Sequence, residues 1–207
     1  MKATIRMLNC EGVGRRGERG VATVELAIIL PLLLMIIFAI VDIGRLLDAR
    51  FAVTKLAQQG GLMGSRDLPR PNPSLPYNPV DLIIFLQKGA SPLDLTGSSG
   101  KIYIWRITAG ISGTPDPVIT STTTGGSLSD SKAVGSIGDG YANLGLSDDI
   151  FGRLQYKTAQ GMADIAEVTV VEVFYKYQLI TPLARFIPGL PIVSGGGFII
   201  SSKAVFP

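Results

Sequence analysis

The sequence contains no histidine and a single cysteine, Cys10. These two absences exclude Ser-His and Cys-His nucleophile systems, a disulfide framework and zinc sites of the usual Cys/His kind. Charge is also scarce, at 17% of residues against about 25% in a typical globular chain. The net charge of +3 does not mark a nucleic-acid surface. Lys2, Arg6, Arg15, Arg16 and Arg19, less Glu11 and Glu18, place the whole excess in the first twenty residues, and residues 21–207 are neutral. No basic stripe suited to nucleic acid remains downstream.

Apolar residues are abundant instead, at 46%, and mean hydropathy is +0.37. With 207 residues there is material for one modest domain and a membrane segment. The segment is Val21–Val41, VATVELAIILPLLLMIIFAIV, with no charge in residues 26–41. At ~1.5 Å per residue it spans about 31 Å, the thickness of a bilayer's hydrocarbon core. Arg15, Arg16 and Arg19 just precede it, so the positive-inside rule puts the N-terminus in the cytoplasm and the remainder outside. A cleaved secretory signal fits less well. Its apolar core would be shorter and would end in a small-residue site, whereas this run ends in Asp42-Ile43-Gly44-Arg45.

Two residues are unusual for a plain anchor. Glu25 puts a carboxylate five positions into the apolar run, at a cost of up to ~2.5–3.5 kcal/mol at mid-bilayer and less near the interface. It calls for a partner, unless it snorkels to the interface. Pro31 removes one N–H and frees the carbonyl of Ala27, which predicts a bend or loosening there.

Arg15-Arg16-Gly17-Glu18-Arg19-Gly20 followed by Val21-Ala22-Thr23-Val24-Glu25 resembles the class III signal of type IV pilin-like proteins. The longer string VELAIILPLLLMIIFAIVDIGRLLDARFAVTKLAQQG is similar to the TadE-like minor pilins, or pseudopilins, of tight-adherence pilus systems. The resemblance covers residues 15–66 well and extends to the tail around Glu167–Tyr177 and Pro182–Phe206, but it is poor over residues 67–160. It implies a bacterial inner-membrane protein with a periplasmic C-terminus, and a place in the assembled extracellular pilus. A prepilin peptidase would cut between Gly20 and Val21. Other pilin subunits, an inner-membrane assembly platform and the lipid bilayer would be the remaining partners. The new α-amine of Val21, with a pKa near 7.7–8.0 in water, would be a cation available to Glu25 of an adjoining subunit. The alternative is an uncut, membrane-tethered domain that binds a ligand or partner outside.

Beyond the membrane the helix is expected to continue to residue 66. Leu46, Ala49, Val53, Leu56, Gly60 and Met63 form a heptad-like stripe that suits either a partner helix or the chain's own outer domain. Gly44, Ala49, Ala52, Ala57, Gly60 and Gly61 would allow close helix approach, while Gly60, Gly61 and Gly64 are expected to weaken the helix end. Residues 67–79 read as a Pro-rich linker, and Val80–Lys88 as helix or strand. Strands are expected at Lys101–Thr108, Ala166–Tyr177 and Gly197–Phe206, with a short one at Val118–Thr120. Asp148-Asp149 predicts a cap for a helix running to about Gln160. Tyr103, Trp105, Phe174, Tyr175 and Tyr177 suit core and cross-strand packing better than a binding surface.

Catalytic chemistry finds little to stand on. Gly97-Ser98-Ser99-Gly100-Lys101 fails as a phosphate loop, because Leu95 and Ile102 occupy positions that need Gly and Ser/Thr. The expectation is therefore an α+β protein that is not an enzyme and needs no cofactor or metal. It has a basic leader at 1–20, a long N-terminal helix at 21–66 that is transmembrane over about 21–43, and a small extracytoplasmic domain at 67–207 with an antiparallel sheet.

Overall fold

The computed structural model describes residues 14–65, 79–135, 146–180 and 197–207, with side chains from Val21 onward. The expectations for the start of the leader, the Pro-rich linker and the turn around Pro182, Pro188 and Pro191 lie outside the described residues. A single helix, α1, runs from Gly14 to Ser65 and continues through Pro31. It is followed by α2 (Pro79–Gly89), β1 (Gly100–Thr108), β2 (Val118–Gly125), α3 (Asp148–Leu154), β3 (Glu167–Gln178) and β4 (Gly197–Phe206).

The four strands form one antiparallel sheet in the order β2-β1-β3-β4. β3 is central and rich in β-branched residues, EVTVVEVFYKYQ, and its segment Val168–Phe174 is buried on both faces. Alternation along the strands separates two cores. Ile102, Ile104, Val171, Val173, Ile200 and Ala204 face a helical layer made by α1 and α2, where they meet Val53, Leu56, Leu82 and Leu86. Trp105, Ile107, Val168 and Val170 point the other way, onto Leu154 of α3. Tyr103 stacks on Trp105 at 5.1 Å between ring centres and meets Phe174 edge-on at 5.9 Å. On the same face Glu172 and Lys203 stand opposite each other across β3 and β4. Glu172 is buried and Lys203 half-buried, and burial lowers the Lys203 ammonium pKa while Glu172 opposes the shift.

The stripe on α1 belongs to this fold. Ala49, Val53, Leu56, Ala57 and Gly60 are buried against the sheet and α2. Each large side chain among them contributes about 1.5–3 kcal/mol. The glycines serve contact rather than helix termination, since α1 stays helical to Ser65. A Cβ on Gly60 would lie 2.9 Å from Leu86 Cδ1 and 3.0 Å from Val171 Cγ1, and one on Gly64 would lie 2.6 Å from Thr169 Cγ2. One on Gly61 would overlap the Phe206 ring. Only glycine lets the helix approach β3 and β4 this closely.

Three further expectations are corrected or resolved. Val80–Lys88 is helical, with Asp81 in the first turn and Lys88 in the last, each matched to the helix dipole. β2 extends five residues beyond Thr120, because Thr122, Thr123 and Thr124 are β-branched and pair with β1. α3 stops at Leu154, well short of Gln160. Its cap is Ser147, whose hydroxyl accepts from the Ile150 N–H at 3.5 Å, and Asp148 and Asp149 occupy the first turn. Gln155 is extended, with its side-chain amide on Asp116 Oδ1 at 2.9 Å, and the Tyr156 N–H donates to the Pro115 carbonyl at 2.9 Å. These tertiary bonds pull the chain out of the helix.

Candidate membrane and assembly surface

From Val21 to Val41 nearly every side chain of α1 is exposed. Val21 is 69% accessible, Leu26 63% and Ile40 63%. This part of the helix stands clear of the folded domain, and its apolar surface far exceeds the few hundred Å² usual on a soluble monomer. α1 is long and apolar enough to cross a membrane, and only 6% of its most apolar window is covered by the protein. Glu25 and Pro31 both lie within this uncovered stretch. Gly20 and Val21 fall inside the helix, so the backbone joining them is helical.

Helical symmetry extends the uncovered surface outward. Ile43, Leu47 and Phe51, at i, i+4 and i+8, are 56%, 46% and 62% exposed. They prolong the apolar face of the membrane segment on the side of α1 away from the sheet. The outer half of α1 therefore has two apolar faces, one against its own domain and one open.

Where α1 leaves the apolar run, a polar collar joins it to β3. Asp42 is only 4% exposed. The Tyr177 hydroxyl donates to the Asp42 carbonyl at 3.4 Å and also hydrogen-bonds the Arg45 side chain. Burial is the main cause raising the Tyr177 pKa, reinforced by Asp42 and opposed by Arg45. Tyr175 is raised by burial first, then by the charge of Asp94, again opposed by Arg45. Asp94 itself is held below the ordinary carboxylate range by the Thr96 hydroxyl and the N–H groups of Thr96 and Gly97.

Beside this collar lies a cavity of about 300 Å³ bounded by Arg45, Asp48, Pro92, Leu93, Tyr175 and Tyr177. A second cavity of about 610 Å³ shares Asp48 and Ala52 with it and continues past Lys55 and Gln59. The collar was not singled out from the sequence. Its signal was present in Asp42 and Arg45, the first charges after the run, and in Tyr175 and Tyr177, which share one face of a strand. Among the described residues no group of three or more Cys, Asp or Glu is placed to hold a metal ion.

Comparison with known proteins bears on the helix alone. No curated protein and no solved structure matches the chain. The family model described as TadE-like protein matches residues 20–62. That stretch begins at Gly20, includes Glu25, Pro31 and the polar collar, and ends within the sheet-packing glycines. Over this helix the chain is similar to the TadE-like proteins.

Proposed function

We propose that this chain is a minor pilin or pseudopilin of a tight-adherence, type IV-like pilus system, inserted through α1 and working by assembly rather than catalysis. The observation that carries the reading is the uncovered apolar half of α1 with Glu25 inside it, in the segment that matches the TadE-like family. A surface of that size needs cover, from lipid before assembly and from neighbouring helices after it. A carboxylate within it favours neighbours that bring a cation. The resemblance supplies one, the α-amine exposed when a prepilin peptidase cuts between Gly20 and Val21.

The Gly20–Val21 bond lies in helix, so the peptidase must first unwind it. Gly17 and Gly20 favour that step, since each costs the helix about 1 kcal/mol relative to alanine. Once cut, Val21 of one subunit and Glu25 of the next pair where the dielectric is low, which fixes the axial register of neighbours. Pro31 supplies a loosened turn that lets the helix adapt between lipid and fibre.

The test is the mass of the native N-terminus together with incorporation of Glu25→Ala. The expected result is a chain beginning at Val21. The variant should be inserted and cut normally but poorly incorporated, because loss of one partner leaves a buried charge at a cost of about 3–5 kcal/mol. A native chain that still begins at Met1, or normal incorporation of Glu25→Ala, refutes the proposal.

A further inference from the structure

The cavity beside the collar is lined by charged and aromatic groups at a definite height above the membrane segment. Arg45 lies four residues beyond Val41, about 6 Å along the helix axis, and Ala52 about 16 Å. The headgroup layer adds about 5–7 Å to each side of the hydrocarbon core. The Arg45 end of the cavity therefore opens into that layer when Val21–Val41 fills the core. Tyr175 and Tyr177 sit at the depth where tyrosine is enriched in membrane proteins.

The charges in the cavity alternate. Arg45 and Asp48 are i, i+3 neighbours on one helix face, with Cβ atoms about 5–6 Å apart. The opposite wall carries Pro92, Leu93, Tyr175 and Tyr177, so Arg45 and Asp48 are the charged groups that line the cavity. A simple anion meets Arg45 but is repelled by Asp48, and a simple cation meets the reverse. A headgroup with a phosphodiester and a primary ammonium two carbons apart satisfies both ends. The guanidinium and the Tyr175 hydroxyl donate to the phosphate oxygens, and the ammonium donates to Asp48. Pro92 and Leu93 supply an apolar wall, and the exposed Ile43, about 3 Å beyond Val41, lies at the edge of the hydrocarbon core.

We infer that this cavity binds the headgroup of an amine-bearing zwitterionic phospholipid of the outer leaflet, which seats the domain on the bilayer before assembly. The inference rests on α1 spanning the membrane as proposed above. It adds a lipid class and a binding site to that reading.

The test uses the full chain in micelles doped with one lipid at a time, with bound lipid counted by native mass spectrometry. The probes are phosphatidylethanolamine, phosphatidylcholine, which lacks ammonium N–H donors, and phosphatidylglycerol, which lacks the ammonium. Phosphatidylethanolamine should be retained about tenfold better than either, equivalent to about 1.4 kcal/mol. Arg45→Gln should abolish retention of all three. Asp48→Asn should erase the preference for phosphatidylethanolamine over phosphatidylglycerol, with Arg45-dependent binding kept. Tyr175→Phe, which removes only a hydroxyl, should weaken retention without altering the emission of Trp105 in the opposite core. Equal retention of the three lipids, or a preference unchanged in Arg45→Gln, overturns the inference. Flotation with vesicles separates the two levels. A chain that floats but shows no preference defeats the headgroup site and leaves the anchor standing. A chain that does not float defeats both.

Discussion

Replacing Gly64 with alanine tests the helix–sheet contact most directly. In a free helix the change favours folding by up to about 1 kcal/mol, and less here because Gly64 lies in the last turn. The structure predicts the opposite sign. The added Cβ would stand 2.6 Å from Thr169 Cγ2. Thr169 is 3% exposed, and its hydroxyl donates to the Gly64 carbonyl at 3.1 Å, so the methyl cannot rotate away without breaking a buried hydrogen bond. Overpacking costs about 1–3 kcal/mol and the bond about 0.5–1.5 kcal/mol. After the helix gain is subtracted, a net loss of about 0.5–4.5 kcal/mol is expected. The assay is guanidinium unfolding of the full chain in detergent, read from Trp105, the sole tryptophan and 3% exposed. Gly44→Ala is the control, because a Cβ there meets nothing within 4 Å, and it should leave stability equal or improved. Thr169→Ser keeps the hydroxyl and removes the methyl, so it should recover part of the loss in the Gly64→Ala background, a coupling that a double-mutant cycle measures. A Gly64→Ala protein as stable as the parent, or no recovery with Thr169→Ser, refutes close packing at this point.

Other perturbations address the core and the collar. Leu86→Ala, at a fully buried position between α1 and the sheet, should cost about 2–5 kcal/mol in the same unfolding assay. A loss near zero would mean α2 does not close this core. Tyr175 and Tyr177 have folded pKa values above the ordinary 10.0, so the stability they contribute is complete below pH 10 and is lost as pH rises through the folded values. Lys203, lowered from 10.5, acts in the opposite sense just below that value. Tyr177→Phe should therefore flatten the alkaline loss of stability, and an unchanged alkaline limb would contradict the burial of this ring. The Asp94 carboxyl should titrate below 3.8 by carbon NMR, and Thr96→Val, which removes the first-named cause of the shift, should move it back upward.

Strong local patterns made much of this fold legible. The expected β4 has the observed bounds, and β1 and β3 differ by about a residue at their ends, because runs such as VTVVEVFYKY carry β-branched and aromatic residues without a breaker. α2 was ambiguous because a short continuous apolar run shows no period in sequence, although the structure buries only Leu82, Ile83 and Leu86 of it and leaves Val80, Ile84 and Phe85 exposed. α3 was read too long because the bonds that end it, from Gln155 to Asp116 and Tyr156 to Pro115, join residues about forty positions apart. The stripe from Leu46 to Met63 admitted two partners for a related reason. A helix facing a sheet and one facing another helix show the same periodicity, and the choice depends on Val171, Phe206 and Thr169, more than a hundred residues downstream. Gly60 and Gly61 showed their capacity for close approach in the sequence, but that the sheet and α2, rather than another helix, come close is visible only in the contacts with Leu86, Val171 and Phe206.

The uncharged run of residues 26–41 marks the half of α1 that stands bare, but hydropathy does not say what lets the charged outer half meet a sheet. Size does. From Leu26 to Val41 the helix carries Leu, Ile, Met, Phe and Val on every side, broken only by Ala27, Pro31 and Ala39, and no face is narrow enough to admit a sheet. From Ala49 to Gly64 small residues recur at Ala49, Ala52, Ala57, Gly60, Gly61 and Gly64, most of them along the face that β3 and β4 approach. Close approach is what buries Ile200, Ala204 and Val171, so the sheet's own core depends on this stretch of helix. Anchor and domain are then one mechanical piece. Any shift of the bare half along its axis must carry the sheet with it, and a register fixed at Glu25 would be transmitted through α1 to the position of every strand.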